Sequence, residues 1–179
     1  YGELATCVQK ISSLFKDRED KIIGIVAENR LETYASILSA LICGKAYVIL
    51  HPSYPKHRND RIAGLAGIRL VLHTKNIHVL NLDTRNLELI CTSEIEQAEN
   101  STTFHAAEDI LHTAEEENAY IIFTSGSTGE PKGVPISRRN LNAFYTAYHR
   151  LGWQLDENDR MLQMFELTFD AVSYTHLRA

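Results

Sequence analysis

The stretch that decides the fold begins Ala119-Tyr-Ile-Ile-Phe123 and continues as Thr124-Ser-Gly-Ser-Thr-Gly-Glu-Pro-Lys-Gly133. Its first part is a short apolar run of the kind that forms a buried strand. Its second part is rich in hydroxyls and glycines and ends in Pro-Lys-Gly. Glycines permit positive φ angles and close approach to a ligand, and successive amides in such a loop can form an anion-binding nest. The stretch therefore predicts a strand that runs directly into an anion-binding loop.

The side chains of this loop complete a cradle for a polyphosphate. Lys132 carries a full positive charge, which gains roughly 4 kcal/mol from a phosphate oxygen about 4 Å away at an effective dielectric near 20. The loop differs from the common NTPase P-loop, because Lys132 lies between Pro131 and Gly133 and is not followed by Ser or Thr. The hydroxyls that can donate to phosphate oxygens belong to Thr124, Ser125, Ser127 and Thr128.

On the N-terminal side of this stretch, apolar runs alternate with helical stripes. Buried strands are predicted at 22–27, 46–50 and 69–73. Helices are predicted over 4–15, over 31–43 with Gly44 as its C-terminal cap, and around Ile62 and Leu65. Strands that alternate with helices predict an α/β fold, with a mainly parallel sheet flanked by helices.

Two other segments have weaker patterns. Residues 86–131 contain no Lys or Arg, and 94–117 are rich in acidic and small polar residues. We interpret this region as a solvated connector, in which the acidic run 115–117 is an exposed face without a partner. After the loop, Ser137 is predicted to cap the N-terminus of a helix that ends at Gly152.

The composition is that of an ordinary globular protein. Hydrophobic residues make up 44% of the chain, charged residues 23%, and the formal net charge is -5. These values argue against a disordered chain, and we expect neither a nucleic-acid nor a membrane partner. Cys7, Cys43 and Cys91 show no metal-type spacing, so buried free thiols in a reducing, cytoplasmic environment are expected. None of the eight histidines is assigned a metal or catalytic role.

Residues 120–134 resemble the phosphate-binding signature of the adenylate-forming superfamily of AMP-dependent synthetases and ligases. The superfamily includes acyl-CoA synthetases, luciferases and peptide-synthetase adenylation domains. Further segments match adenylation domains in the same order, namely Tyr1-Gly-Glu-Leu4, the Leu-Ile-Cys-Gly-Lys-Ala-Tyr-Val of 41–48, the Pro-Ser-Tyr-Pro of 52–55, and 162–170. The resemblance is closest to the amino-acid adenylation domains of nonribosomal peptide synthetases and to D-alanine carrier-protein ligases. It implies a partial N-terminal AMP-binding domain over 1–171.

The resemblance also implies a reaction, in which a carboxylate attacks the α-phosphorus of ATP and pyrophosphate leaves. Lys132 would be the catalytic residue, and Phe169 and Asp170 would bind the substrate, with Asp170 pairing with an α-ammonium group. Mg²⁺ would act as cofactor with ligands outside this chain, so no residue here is assigned to a metal. The implied nucleotide-binding residues are Thr124, Ser125, Gly126, Ser127, Thr128, Gly129 and Lys132.

The implied function is ATP-dependent activation of an amino acid as aminoacyl-AMP, for transfer to a phosphopantetheinylated carrier protein or domain. An acyl-CoA or aryl-acid ligase of the same superfamily and a non-catalytic remnant are the open alternatives. Residues 172–179 depart from the family pattern and resemble translated sequencing-adapter DNA, so a non-native tail is expected there. We expect this chain alone to be inactive, because the adenine contacts and the small C-terminal lobe of such enzymes lie beyond it.

Overall fold

The computed structural model describes residues 2–74, 81–95, 115–125, 130–152 and 167–168. Strands and helices alternate along these segments, as predicted. The helices are α1 (Gly2–Ser13), α2 (Leu31–Ile42), α3 (Lys56–Ala66) and α4 (Arg138–Arg150), with a short 3₁₀ turn at Thr92–Glu94. The strands are β1 (Ile22–Val26), β2 (Ala46–Leu50), β3 (Leu70–His73), β4 (Glu88–Cys91), β5 (Asn118–Ser125) and β6 (Pro131–Ser137).

The strands form one sheet in the order β4-β3-β1-β2-β5-β6. All neighbouring pairs are parallel except β5 and β6, which are antiparallel. The predicted mainly parallel α/β fold is therefore confirmed. The carboxyl ends of the parallel strands meet at one edge of the sheet, called here the carboxyl edge, which is where open α/β sheets bind their ligands.

The sheet has an apolar layer on each face. Ile11 of α1, Ile37 of α2 and Leu141 of α4 pack on one face, and Ile62 of α3 packs on the other. Burial of each such side chain contributes roughly 1.5–3 kcal/mol. Gly24 of β1 permits the close packing on the α3 side, because a Cβ at this position would lie 3.1 Å from side-chain carbons of Ile68 and Val71.

The predicted helix ends at Gly44 and Gly152 are confirmed, and Gly67 ends a further helix without having been predicted to do so. Gly44, Gly67 and Gly152 follow helices with φ angles of 70°, 66° and 73°, which a residue with a side chain adopts only at a cost. Ser137 caps α4, since its Oγ accepts the Asn140 amide hydrogen at 3.2 Å and the Ser137 amide donates to Asn140 Oδ1 at 3.1 Å. This reciprocal pair satisfies two backbone donors at the start of the helix.

The predicted connector contains a strand. β4 pairs in parallel with β3, with Leu70 opposite Glu88. It is a four-residue edge strand without a fully buried residue, so it lacks the long apolar run that marks an interior strand. Arg18 Nη1 donates to Glu88 Oε1 at 3.0 Å and ties β4 to the turn after α1.

The acidic run at 115–117 does have partners, contrary to the prediction. The backbone oxygens of Glu117 and Glu115 each accept from an amide at the start of α4, those of Arg138 and Arg139, at 2.9 Å. The Glu116 carboxylate also pairs with Arg139. The run therefore anchors the N-terminus of α4, because the first amides of a helix have no partner within the helix.

The cysteines differ from the prediction in burial. All three are free, but they are half-buried and not fully buried. Burial, with a smaller contribution from Glu32, raises the pKa of the Cys7 thiol, while Lys10 opposes the shift. In the described segments, no helix has the length and apolarity needed to cross a lipid bilayer.

Candidate functional site

The described parts of the predicted phosphate-binding segment are the paired strands β5 and β6, called here the hairpin, and β5 ends at the carboxyl edge. Thr124 of β5 stands opposite Lys132 of β6, and Ser125 stands opposite Pro131. Directly opposed residues of an antiparallel pair project from the same face, and the side chains of Thr124 and Lys132 are both exposed. The hairpin therefore presents a hydroxyl and an ammonium group side by side.

The location of Lys132 corrects one prediction. We expected it in a solvent-facing loop, but it lies in strand β6. The reason is that β5 continues to Ser125, and the returning chain pairs with it from Pro131 onward. The backbone of Lys132 is thus held by strand pairing, while its side chain remains exposed.

Packing across the hairpin favours glycine at position 133. A Cβ at this position would lie 3.0 Å from Phe123 Cζ and 3.1 Å from Ile121 Cγ2. The ring of Phe123 thus crowds the space that a side chain at position 133 would take. The sequence indicated glycines for positive φ angles and close approach to a ligand, whereas at Gly133 the structure shows side-chain crowding within a strand.

The connection from β2 to α3 lies at the same edge, beside the hairpin strand β5. The Ser53 amide donates to His51 Nδ1 at 3.2 Å, so a neutral His51 carries its proton on Nε2. The rings of His51 and Tyr54 are 5.2 Å apart, and the Arg58 guanidinium lies 4.3 Å from the Tyr54 ring centre. The fully buried Asn59 donates to the His51 carbonyl at 3.0 Å. These contacts fix the start of α3 against the end of β2.

An ion pair joins α3 to the hairpin. Arg61 Nε donates to Glu130 Oε2 at 3.0 Å, and Glu130 directly precedes β6. Neither residue is among the candidate site residues predicted from the sequence. The two are 69 positions apart, so no local spacing pattern could have linked them.

A small cavity lies where β2, β5 and α3 meet the segment Leu167–Thr168. Its volume is about 20 Å³, which is enough for one water molecule. Where the structure describes the chain, the space at this point is too small for an amino acid. The residues that line it include Tyr47, Tyr54, Tyr120, Phe123, Leu167 and Thr168.

The structure brings together only part of the predicted site. Thr124 and Lys132 are adjacent, and the backbone of Ser125 lies at the end of β5. A hydroxyl donor beside an exposed ammonium suits a polyphosphate. Among the described residues, no group of three His, Cys, Asp or Glu side chains could hold a metal ion. The remaining predicted residues lie outside the described segments and are Gly126, Ser127, Thr128, Gly129, Phe169 and Asp170.

Known sequences match this chain over almost its whole length. A family model described as AMP-binding enzyme matches residues 1–177. Tyrocidine synthase 3 from Brevibacillus parabrevis is 32% identical over 181 residues, which cover 97% of this chain and 3% of that protein. Bacitracin synthase 2 from Bacillus licheniformis is 29% identical over 176 residues, which cover 97% of this chain and 6% of that protein. The chain thus spans a small part of these relatives.

Solved structures share the same architecture. The nonribosomal peptide synthetase FmoA3 bound to α-methyl-L-serine-AMP has a TM-score of 0.75 and 26% identity, covering 96% of this chain and 19% of that one. The o-succinylbenzoate coenzyme A synthetase from Bacillus subtilis, bound to AMP, has a TM-score of 0.78 and 19% identity, covering 99% and 46%. Because the coenzyme A synthetase is only 19% identical to this chain, its similarity supports a shared fold and nothing further.

Proposed function

Because this chain belongs to the AMP-binding enzyme family, we propose that the protein containing it activates an amino acid as aminoacyl-AMP. ATP is the second substrate and pyrophosphate is released. The observation that carries this proposal is the pairing of Thr124 with Lys132 at the carboxyl edge of the sheet. It puts a hydroxyl donor and a positive charge where parallel α/β sheets bind their ligands. The likeness to a peptide synthetase that holds an amino acid's adenylate favours an amino acid as the acid substrate.

In the proposed reaction, a carboxylate oxygen of the amino acid attacks the α-phosphorus of ATP. The new oxygen–phosphorus bond forms the aminoacyl-AMP, and the bond from the α-phosphorus to the bridging oxygen breaks. Pyrophosphate leaves with the electron pair of that bond. Lys132 and the Thr124 hydroxyl hold the β- and γ-phosphates, and the Lys132 ammonium stabilises the charge that develops on the leaving group. Additional contacts are assigned to Ser125, Gly126, Ser127, Thr128 and Gly129.

The proposed amino-acid contacts are Phe169 and Asp170. Support comes from Leu167 and Thr168, which line the small cavity beside β2 and β5 and so bring the chain to the hairpin strand shortly before Asp170. A carboxylate that lines a pocket needs a cation to offset its desolvation. The α-ammonium group of an amino acid supplies this cation, whereas a fatty or aryl acid does not.

The remaining parts of the proposal concern groups that the described residues do not hold. When bound, Mg²⁺ would supply positive charge to the phosphates, and we assign its ligands to segments outside this chain. The product is transferred to a phosphopantetheinylated carrier protein or domain, and we place the reaction in the cytoplasm. Since the chain covers 3% and 6% of the curated relatives described above, each of these assignments concerns the whole protein.

The test is amino-acid-dependent exchange of labelled pyrophosphate into ATP. It uses the protein encoded by the whole open reading frame that contains this chain, called here the whole-frame protein. We expect exchange with one or a few members of a panel of amino acids. Exchange with plain carboxylic acids alone would support an acyl-CoA or aryl-acid ligase. Absence of exchange with both panels would support a non-catalytic remnant.

A variant pair tests the role of Asp170. Asp170→Ala should abolish exchange at amino-acid concentrations that saturate the unmodified protein, because the α-ammonium loses its counter-charge. Asp17→Ala removes an exposed carboxylate from the turn after α1 and should leave exchange unchanged. Undiminished exchange in Asp170→Ala would remove the proposed role.

The boundary at residue 171 belongs to the same proposal. We propose that 1–171 are a native adenylation segment and that 172–179 are not native. The check is resequencing of the source DNA across the codons for 169–179. A different reading from codon 172 onward is expected, and recovery of the same eight codons in the source DNA would contradict it.

A further inference from the structure

We propose that Arg61 is a positioning residue for the polyphosphate, and that it acts by neutralising and holding Glu130. The inference rests on the proposed function, since it concerns the site that would hold ATP. Its starting point is the 3.0 Å bond from Arg61 Nε to Glu130 Oε2. This bond joins α3 to the residue at which the phosphate-binding segment enters β6.

Arg61 starts from a fixed backbone position. Ile62, the next residue of α3, is 1% exposed and belongs to the core below the sheet. Asn59 is fully buried and donates to the carbonyls of His51 at 3.0 Å and Asn81 at 3.3 Å. The helix is therefore attached to the end of β2 on one side of Arg61 and to the core on the other. This attachment gives the guanidinium a defined place from which to reach Glu130.

Glu130 is a negative charge in an unfavourable place. It lies two positions before Lys132, the cation assigned to the phosphates. An uncompensated carboxylate there would repel phosphate oxygens and compete with them for the Lys132 ammonium. Arg61 removes both effects, because it offsets the charge and directs the Glu130 carboxylate toward α3.

The ion pair cannot be explained by fold stability. The Arg61 and Glu130 side chains are 57% and 63% exposed, and exposed pairs of this kind contribute only about 0–1 kcal/mol. Loss of the pair should therefore leave folding almost unchanged. Its effect should appear in the affinity for ATP, where an unmasked Glu130 acts directly on a highly charged ligand.

The test compares Arg61→Ala, Glu130→Ala and the double variant in the whole-frame protein at low ionic strength. Two readouts are the Kd for the ATP analogue AMPPNP by calorimetry, and the KM for ATP and kcat in pyrophosphate exchange. Arg61→Ala should raise Kd and KM by roughly three- to ten-fold, with kcat and the melting temperature unchanged. Glu130→Ala should bind at least as well as the unmodified protein, and the double variant should match Glu130→Ala. The loss in Arg61→Ala should shrink at high salt.

The matched control is Arg139→Ala. Arg139 pairs with Glu116, and the two side chains are 65% and 77% exposed, but this pair lies at the amino end of β5, whereas Thr124 and Lys132 lie near its carboxyl end. No change in Kd is expected. An equal loss of AMPPNP affinity in Arg139→Ala would show that the effect comes from net charge alone. This result would overturn the inference.

Two further results would also overturn it. An unaltered Kd in Arg61→Ala would show that Glu130 needs no masking. A double variant as weak as Arg61→Ala would show that Arg61 acts on ATP directly. The proposed function fails separately, when the unmodified protein binds AMPPNP but exchanges no pyrophosphate with any amino acid. Absence of AMPPNP binding in the unmodified protein would end both proposals.

Discussion

Thr124 and Lys132 stand opposite each other in the antiparallel ladder between β5 and β6. β5 is joined to the parallel sheet through β2, where Tyr47 is the partner of Tyr120. Tyr120 is 1% exposed, and its ring lies 5.5 Å from that of Tyr47. The pairing of β5 with β2 thus holds the backbone of Thr124 in place. The pairing of β5 with β6 holds the backbone of Lys132 in the same way.

We expect Lys132→Ala to impair catalysis without unfolding the protein. Loss of one charged donor to the leaving group should lower pyrophosphate exchange by roughly 100-fold, whereas an exposed side chain contributes little to the core. The measurement is exchange together with the melting temperature of the whole-frame protein. Lys16→Ala, at an exposed position after α1, is the control. Loss of folding in Lys132→Ala would give this residue a structural role instead.

Gly24→Ala should destabilise the sheet. The added methyl group would meet Ile68 and Val71 at 3.1 Å and Leu50 at 3.3 Å, and overpacking of this kind costs about 1–3 kcal/mol. We expect faster hydrogen–deuterium exchange of the β1 amides. Gly64→Ala is the matched control, because no atom lies within 4 Å of its added methyl group and alanine favours a helix by about 0.5–1 kcal/mol. Equal exchange in the two variants would contradict the crowding at Gly24.

Asn59→Ala should loosen the connection between β2 and α3. The substitution removes the donor to the carbonyls of His51 and Asn81, and an unsatisfied buried group costs roughly 1–3 kcal/mol. Hydrogen–deuterium exchange of the peptide 51–59 should speed up accordingly. Asn29→Ala, which removes an exposed amide bonded to the Tyr34 hydroxyl, should change this peptide little. If the two variants behaved alike there, the buried bonds of Asn59 would not hold the connection.

The Cys7 thiol should react slowly in the folded protein. Burial raises its pKa above the ordinary 9.0, and the Glu32 charge adds to the shift, so less thiolate is present near pH 8. Iodoacetamide labelling of the Cys7 peptide, followed by mass spectrometry, should be slower than in urea, and Glu32→Gln should speed it up modestly. A raised pKa means that the Cys7 thiol keeps its proton up to a higher pH in the folded state than in the unfolded state. The thiol's contribution to stability is therefore full below pH 9.0 and falls as the pH rises through the folded-state pKa. Labelling that is as fast in the folded protein as in urea would contradict the shift.

The strands β1, β2 and β3 were predictable from the sequence because they are buried on both faces. Every residue of β2 is buried, so its sequence must be continuously apolar. The edge strands β4 and β6 follow no such rule. β4 is only half-buried, and β6 contains Pro131 and Pro135, which a strand tolerates only at a sheet edge.

The candidate site was predictable in its chemistry but not in its geometry. The residue types of the hairpin indicated a polyphosphate cradle, because hydroxyls, glycines and one lysine occur together in it. The register of Thr124 against Lys132 depends on β6, which the prolines concealed. The Arg61 contact with Glu130 depends on the packing of α3 below the sheet, and only the folded chain brings those two residues together.

The pairing of β2 with β5 also has a consequence for synthesis on the ribosome. Tyr120 leaves the ribosome about 70 residues after its partner Tyr47, which is on the order of 4–15 s at roughly 5–20 residues per second. During this interval the nascent chain exposes one side of β2, an apolar strand with unpaired backbone groups. Such an edge is a template for pairing with other chains. The chain is therefore most prone to aggregate during translation, until β5 has emerged and covers this edge.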